Sequence, residues 1–151
     1  MPLDRPTITA DRSLIAHGAI MTLLGLVSGL TPLIARSPAA ALQAHSIGVL
    51  QGAMLFGLAA IWPALGPSRG VVRAAKWCGL IGFYSNWVGA ELAGFWSARA
   101  MMIVSGVAMP PGASRWMEVA VAILLSMSFL IVAMCVMILL ALRKSPIATK
   151  S

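Results

Sequence analysis

Four apolar runs dictate what this chain can fold into. They cover 14–35, 41–65, 74–98 and 117–142, and each is 22 to 26 residues long. About 20 residues are enough to cross the hydrocarbon of a bilayer as a helix. No water is available there, so every backbone N–H and C=O must be satisfied within its own segment, which makes each run a helix. The expected fold is an all-α integral membrane protein, with four transmembrane helices bundled into one domain over 14–142. A short polar tail, 1–13, precedes it and a basic tail, 143–151, follows. Composition agrees, because 60% of the residues are hydrophobic and only 10% are charged, against about 25% charged in soluble domains. The first run is followed by Ala39-Ala40-Ala41, as a cleaved leader would be. A leader's apolar region is only about 7–15 residues long, so the run reads as a retained helix.

The formal charge of +7 does not point to nucleic acid, since the eleven basic residues form no basic helix. They lie between the apolar runs, where topology determinants lie. Four spans place both ends of the chain on one side, together with Arg5, Arg12, Arg69, Arg73, Lys76, Arg143, Lys144 and Lys150. Arg36, Arg99 and Arg115 fall on the other. The positive-inside rule then predicts a multi-pass protein of a bacterial inner membrane with both termini cytoplasmic. Cys78 and Cys135 lie inside apolar runs without CxxC spacing and read as buried thiols rather than a disulfide or metal site.

Breaks are written in proline and glycine: Thr31-Pro32 and Arg36-Ser37-Pro38, then Gly66-Pro67-Ser68-Arg69-Gly70, then a long connection, 99–116, holding Met109-Pro110-Pro111-Gly112. The apolar first half of that connection is either an interfacial loop or a cover over a pocket. The fourth run holds Glu118 as its one charged residue and reads as an anchor. Trp62, Trp77, Trp96 and Trp116 stand near helix ends as interface residues; Trp87 is deeper, for packing or for an aromatic pocket. Gly25-x-x-x-Gly29, Gly48-x-x-x-Gly52, Ala75-x-x-x-Gly79, Ser85-x-x-x-Gly89 and Ala90-x-x-x-Gly94 let helix backbones approach closely and favour a tight bundle and an oligomer.

Polar groups inside the runs are costly and mark function. His17 and His45 enter helices from opposite sides and differ in height by more than ~15 Å at 1.5 Å per residue. One subunit cannot clamp one haem between them. His45 is either a single axial ligand, leaving the opposite iron position open for a substrate, or a structural residue bonding across helices. Gln51 lies six residues on, roughly 120° round the helix, so a neighbouring subunit is expected to supply one of the two if both serve one site; a structural bond is the alternative. Tyr84, Asn86 and Glu91 lie on the third helix, with Tyr84 and Glu91 on nearly one face. Glu91 costs about 2.5–3.5 kcal/mol to insert. It should face the bundle interior, either as an acid–base group or paired with Arg99 or the backbone.

Ala16-His17-Gly18, Ala44-His45-Ser46, Leu50-Gln51-Gly52, Ile61-Trp62-Pro63-Ala64-Leu65-Gly66 and Tyr84-Ser85-Asn86-Trp87 together resemble the hydroxylaminobenzene mutases. More distantly the chain is similar to styrene oxide isomerase, another small four-helix membrane enzyme. The resemblance implies a homotrimeric isomerase of aromatic-compound degradation, with haem b between subunits and its iron on His45. An asparagine of styrene oxide isomerase matches Gln51 here, so the amide is kept but lengthened. The resemblance also implies a small aromatic substrate reached through membrane lipid: an arylhydroxylamine rearranged to an aminophenol, or alternatively an aryl epoxide. In that scheme ferric haem acts as a Lewis acid, Gln51, Tyr84 and Asn86 orient the substrate, and Glu91 stabilises the developing cation. The competing expectation is a non-enzymatic membrane haem protein or a small transporter using Glu91.

Overall fold

The computed structural model describes residues 10–65, 69–99 and 111–144. Among these every regular element is helical: α1 (Arg12–Ser28), α2 (Pro38–Ile61), α3 (Arg69–Trp96), α4 (Arg115–Ser126) and α5 (Phe129–Lys144), with short 3-10 turns at Thr31–Leu33 and Trp62–Leu65. Three units are long and apolar enough to cross a membrane: α1 with its 3-10 turn, α2 with its own, and α4–α5 taken together. The fourth helix, α3, has 28 residues, about 42 Å at 1.5 Å per residue. It carries the polar groups, so it packs among the others.

The chain runs up and down. Helices α1 and α2 are antiparallel, and the Asp11 backbone N–H donates to the Ala59 carbonyl at 3.0 Å to close one end. At the other end the Ser37 N–H donates to the Gly94 carbonyl at 3.0 Å, tying the start of α2 to the end of α3. Along α3, Gly89 faces Leu125, Gly82 faces Ile131 and Gly79 faces Met134, so α4–α5 runs antiparallel to it. The start of α1 and the end of α5 therefore share one end of the bundle.

Small residues set the helix spacing. A Cβ on Gly25 would stand 2.5 Å from the Val49 nitrogen, and one on Gly48 would stand 2.5 Å from the Gly25 Cα. These glycines are spent on contacts inside the subunit, where backbone meets backbone and no side chain fits. The main core lies toward the end holding Asp11 and Lys76, around Leu14, Met21, Leu55, Leu80, Phe83 and Met134. A smaller cluster, Ala93, Ala98 and Val121, closes the other end.

Several expectations are corrected. Helix α1 begins at Arg12 with Asp11 as its cap: the Asp11 carboxylate accepts from the Ser13 and Leu14 N–H groups at 2.9 and 3.1 Å. Lys76 pairs with the capping Asp11, at 2.8 Å. The fourth run stands as one spanning unit, Arg115–Arg143, with a turn at Met127 and Ser128 between α4 and α5. There the Ser126 hydroxyl donates to the Ala122 carbonyl and the Ser128 hydroxyl to that of Leu125. Side-chain bonding of this kind competes with the helical ladder and bends it. Helix α3 starts at Arg69, five residues before its apolar run, and ends with Ser97 at φ 57°. There the Ala98 N–H donates to the Ala93 carbonyl at 3.1 Å, closing the helix as a left-handed cap. Trp62 is buried in the core rather than at an interface, while Trp77 and Trp116 are exposed. Cys135 is exposed and Cys78 half-buried, both as free thiols. The connection over 100–110, including the segment read as a possible pocket cover, lies outside the described residues, as do 1–9, 66–68 and 145–151.

Candidate functional site

The residues singled out by sequence fall into three places. His45 lies on α2 beside the second half of α1. Its Nδ1 is 2.8 Å from the Gly25 carbonyl oxygen. A carbonyl only accepts, so Nδ1 donates this bond and Nε2 points elsewhere. The ring reaches this position because Gly29 leaves room for it: a Cβ there would stand 3.1 Å from Nδ1. His45 thus makes the cross-helix bond expected of a structural histidine, and that same bond fixes the tautomer a metal-ligating histidine needs.

Gln51 lies on the buried stripe of α2 that runs through Ala44, Gly48, Gln51 and Leu55. Its Oε1 is sealed from solvent without a hydrogen-bond partner, as is the Oε1 of Gln43. His45 and Gln51 diverge round α2 as their spacing dictates.

Tyr84 does not join them. Its hydroxyl lies 3.1 Å from Nδ1 of His17, with the two rings edge to face. His17 is therefore the partner that sequence reasoning did not assign. The pair is 67 residues apart in sequence, beyond the reach of any local pattern, although both positions count to the same half of the membrane. Asn86 is half-buried and makes no hydrogen bond among the described residues.

Glu91 lies elsewhere again, in the wall of a cavity of about 340 Å³ between α1 and α3. Leu24, Val27 and Ser28 of α1, with Thr31 of the 3-10 turn after it, line it together with Trp87, Glu91 and Phe95 of α3. Glu91 is 8% exposed, and its Oε2 is buried with no hydrogen-bond partner. The expected pairing with Arg99 is absent among the described residues; the Arg99 N–H bonds Glu118 instead, at 2.8 Å. Trp87 both packs against the core and lines the cavity, so each reading of it holds. Its indole N–H donates to the Ser28 hydroxyl at 3.0 Å, which in turn donates to the Leu24 carbonyl at 2.9 Å. Ser28 and Thr31 read in sequence as ordinary residues of an apolar run, and nothing in the pattern marks them as cavity walls.

Three buried oxygens without partners, on Gln43, Gln51 and Glu91, are a concentrated cost. Each orphaned polar group costs about 1–3 kcal/mol, and native structures tolerate few of them without a role. Among the described residues no cluster of three or more metal-binding side chains occurs.

Known proteins resemble this chain along nearly its whole length. Hydroxylaminobenzene mutase HabB of Ectopseudomonas oleovorans is 37% identical over 151 residues, covering 97% of this chain and 90% of the relative. Hydroxylaminobenzene mutase HabA of the same organism is 34% identical over 89 residues, covering 59% of this chain and 66% of the relative. The family described as styrene oxide isomerase matches residues 10–143, which is nearly the whole described bundle. This chain belongs to that family of membrane isomerases acting on aromatic substrates.

Proposed function

We propose that this isomerase rearranges an arylhydroxylamine to an aminophenol, with haem b held on His45. The observation that carries the reading is the 2.8 Å bond from His45 Nδ1 to the Gly25 carbonyl. With Nδ1 donating to that carbonyl, Nε2 is the nitrogen of this half-buried ring left to hold a haem iron. The space that Gly29 leaves for the ring fits the same role. Bound there, ferric haem would supply a Lewis acid for a substrate oxygen.

The chain's own residues do the rest. His17 steers the Tyr84 hydroxyl, and Tyr84, Asn86 and the unpartnered Gln51 amide orient the substrate. Glu91 offsets positive charge as the N–O bond weakens, in surroundings where a carboxylate acts more strongly than in water. The apolar walls exclude bulk water, so the hydroxyl returns to the ring and the reaction is an isomerisation with no net redox change. Aryl epoxide isomerisation is the second reading, and the family match to styrene oxide isomerase favours it. A homotrimer in a bacterial inner membrane, with both termini cytoplasmic, completes the proposal. The orientation is supported by the excess of basic residues at that end of the bundle.

An absorption spectrum of the detergent-purified protein tests the scheme first. A Soret band that disappears in His45→Ala, with activity toward phenylhydroxylamine lost alongside, is the expected result. Full haem content and activity in His45→Ala would overturn the assignment. Parallel assays with phenylhydroxylamine and styrene oxide decide between the two substrates.

A further inference from the structure

The end of the bundle opposite Asp11 and Lys76 gathers three arginines. Arg36 precedes α2 by two residues, Arg99 follows α3 by three, and Arg115 opens α4. Each is exposed and stands within about one helical turn of the end of a span. They share one rim. A Cβ on Gly112 would stand 3.5 Å from Nη1 of Arg36 and 3.7 Å from the Trp96 carbonyl oxygen, so the Arg36 guanidinium lies beside the end of α3. Trp96 in turn meets Trp116, the neighbour of Arg115, edge to face at 5.0 Å. The Arg99 N–H bonds Glu118, the one acidic side chain at this end among the described residues. Three positive charges against one negative leave the rim at 3 − 1 = +2. Among the described residues the one ion pair, Lys76 with Asp11, lies at the other end. Next to Arg36, Leu33 and Ile34 are 83% and 75% exposed, so an apolar surface adjoins the guanidinium groups.

We infer that this rim binds an anionic phospholipid, with its phosphate and acidic head group against Arg36, Arg99 and Arg115 and its acyl chains along Leu33 and Ile34. Guanidinium groups take phosphate oxygens in bidentate pairs, and tryptophan settles at the level between head group and chain. A zwitterionic lipid brings a cation of its own, which the arginines repel, so the rim prefers a lipid of net negative charge. The exposed apolar neighbours favour a lipid over a free phosphate. In the orientation proposed above, this is the side on which the positive-inside bias disfavours basic residues. Three of them kept at one place there, without a carboxylate for each, match an anionic partner in the leaflet. The surface is separate from the isomerase chemistry and uses neither His45 nor Glu91.

Quenching of tryptophan fluorescence by lipids brominated on their acyl chains tests this, with the full-length protein in mixed micelles. The Trp116 signal is the difference between the wild type and Trp116→Phe. Trp77, as exposed as Trp116 at 60% but toward the other end of the bundle, supplies a control signal through Trp77→Phe. At Trp116, brominated phosphatidylglycerol is expected to associate at least about fivefold more strongly than brominated phosphatidylcholine, the effect of one basic residue at a membrane surface. Arg36→Gln, Arg99→Gln and Arg115→Gln together should remove that preference, whereas the three changes to Lys should keep most of it. Arg36→Gln alone should lower it, which keeps the test open if the triple Gln protein does not fold. The Trp77 signal should respond to none of these changes. Equal association of the two lipids at Trp116 in the wild type would overturn the inference, as would a preference that survives the Gln changes. A preference abolished by inorganic phosphate at constant ionic strength would overturn it too, since the site would then belong to the free anion.

Discussion

Replacing Gly25 by alanine tests whether helix spacing governs the His45 site. The added Cβ would lie 2.5 Å from the Val49 nitrogen and 2.7 Å from the Gly48 carbonyl carbon, where ordinary contact begins at 3.4 Å. The shortfall is 3.4 − 2.5 = 0.9 Å, and the obstructing atoms are backbone, which cannot rotate away. Helices α1 and α2 must part by about that amount at their crossing. If α1 moves as a body, the His45–Gly25 distance grows from 2.8 Å to about 3.7 Å, which is no longer a hydrogen bond. Overpacking costs about 1–3 kcal/mol and the lost bond about 0.5–1.5. The better helix propensity of alanine returns about 1. The net loss is thus about 0.5–3.5 kcal/mol by these terms. Gly57→Ala is the control, since nothing lies within 4 Å of its Cβ and the same propensity should stabilise α2. Equilibrium unfolding in mixed micelles measures both. Activity should fall about 10–100-fold in Gly25→Ala, beyond any loss of folded protein, because the group that orients His45 is displaced. A Gly25→Ala protein as stable and active as Gly57→Ala would refute the reasoning.

Asp11 predicts an acid sensitivity. Burial opposes its ionisation, but the Lys76 ammonium and the N–H groups of Leu14 and Ser13 outweigh burial and hold its carboxyl below the ordinary 3.8. A lowered folded value means that the stabilisation is full above pH 3.8 and fades as pH falls through the folded value. Thermal unfolding of Asp11→Asn, which keeps a capping oxygen but no charge, should lose less stability than the wild type between pH 5 and pH 3. Asp11→Ala should cost about 1–2 kcal/mol at neutral pH through the lost cap. Trp87→Phe keeps an aromatic wall but removes the N–H donated to Ser28, so it should cost about 0.5–1.5 kcal/mol in the same unfolding assay.

The apolar runs carried the architecture, because hydrocarbon leaves a backbone no alternative to helices. The glycine spacings carried the packing: Gly25 against Gly48 and Gly94 against Ala41 are where backbones meet. What escaped was whatever depends on a partner far along the chain. Ser126 and Ser128 read as harmless in an apolar run, yet their hydroxyls cut the fourth helix. Asp11 before Arg12-Ser13 is a legible cap signal, but its pairing with Lys76, 65 residues away, is not. His45, Gln51 and Glu91 announced themselves as polar groups in costly surroundings, whereas their neighbours Gly25, Ser28 and Thr31 carry no such mark. The Tyr84–Glu91 face fixed by spacing was right in direction. Even so, Tyr84 is drawn to His17, and Glu91 opens into the cavity seven residues further on.

The separation of His45 from Glu91 round α1 has a consequence that can be counted. One subunit's helices carry the imidazole on the Gly25–Gly29 stripe and the carboxylate across the neighbouring stripe, so the two do not face one space within a subunit. If both act on one substrate, one comes from each of two adjacent copies. Inactive His45→Ala and Glu91→Leu chains, co-expressed in equal amounts and assembled at random, would then form intact junctions wherever the good histidine meets the good carboxylate. The chance is one half times one half, so about a quarter of wild-type activity should return in a symmetric ring. A site built within one subunit returns none, because every chain carries one defect. Tagging the two variants separately and purifying through both tags isolates mixed trimers, each with one intact junction of three, so about a third of wild-type activity is expected in that sample. Activity at background level there would refute the shared site and require α1 to rearrange before His45 and Glu91 could meet.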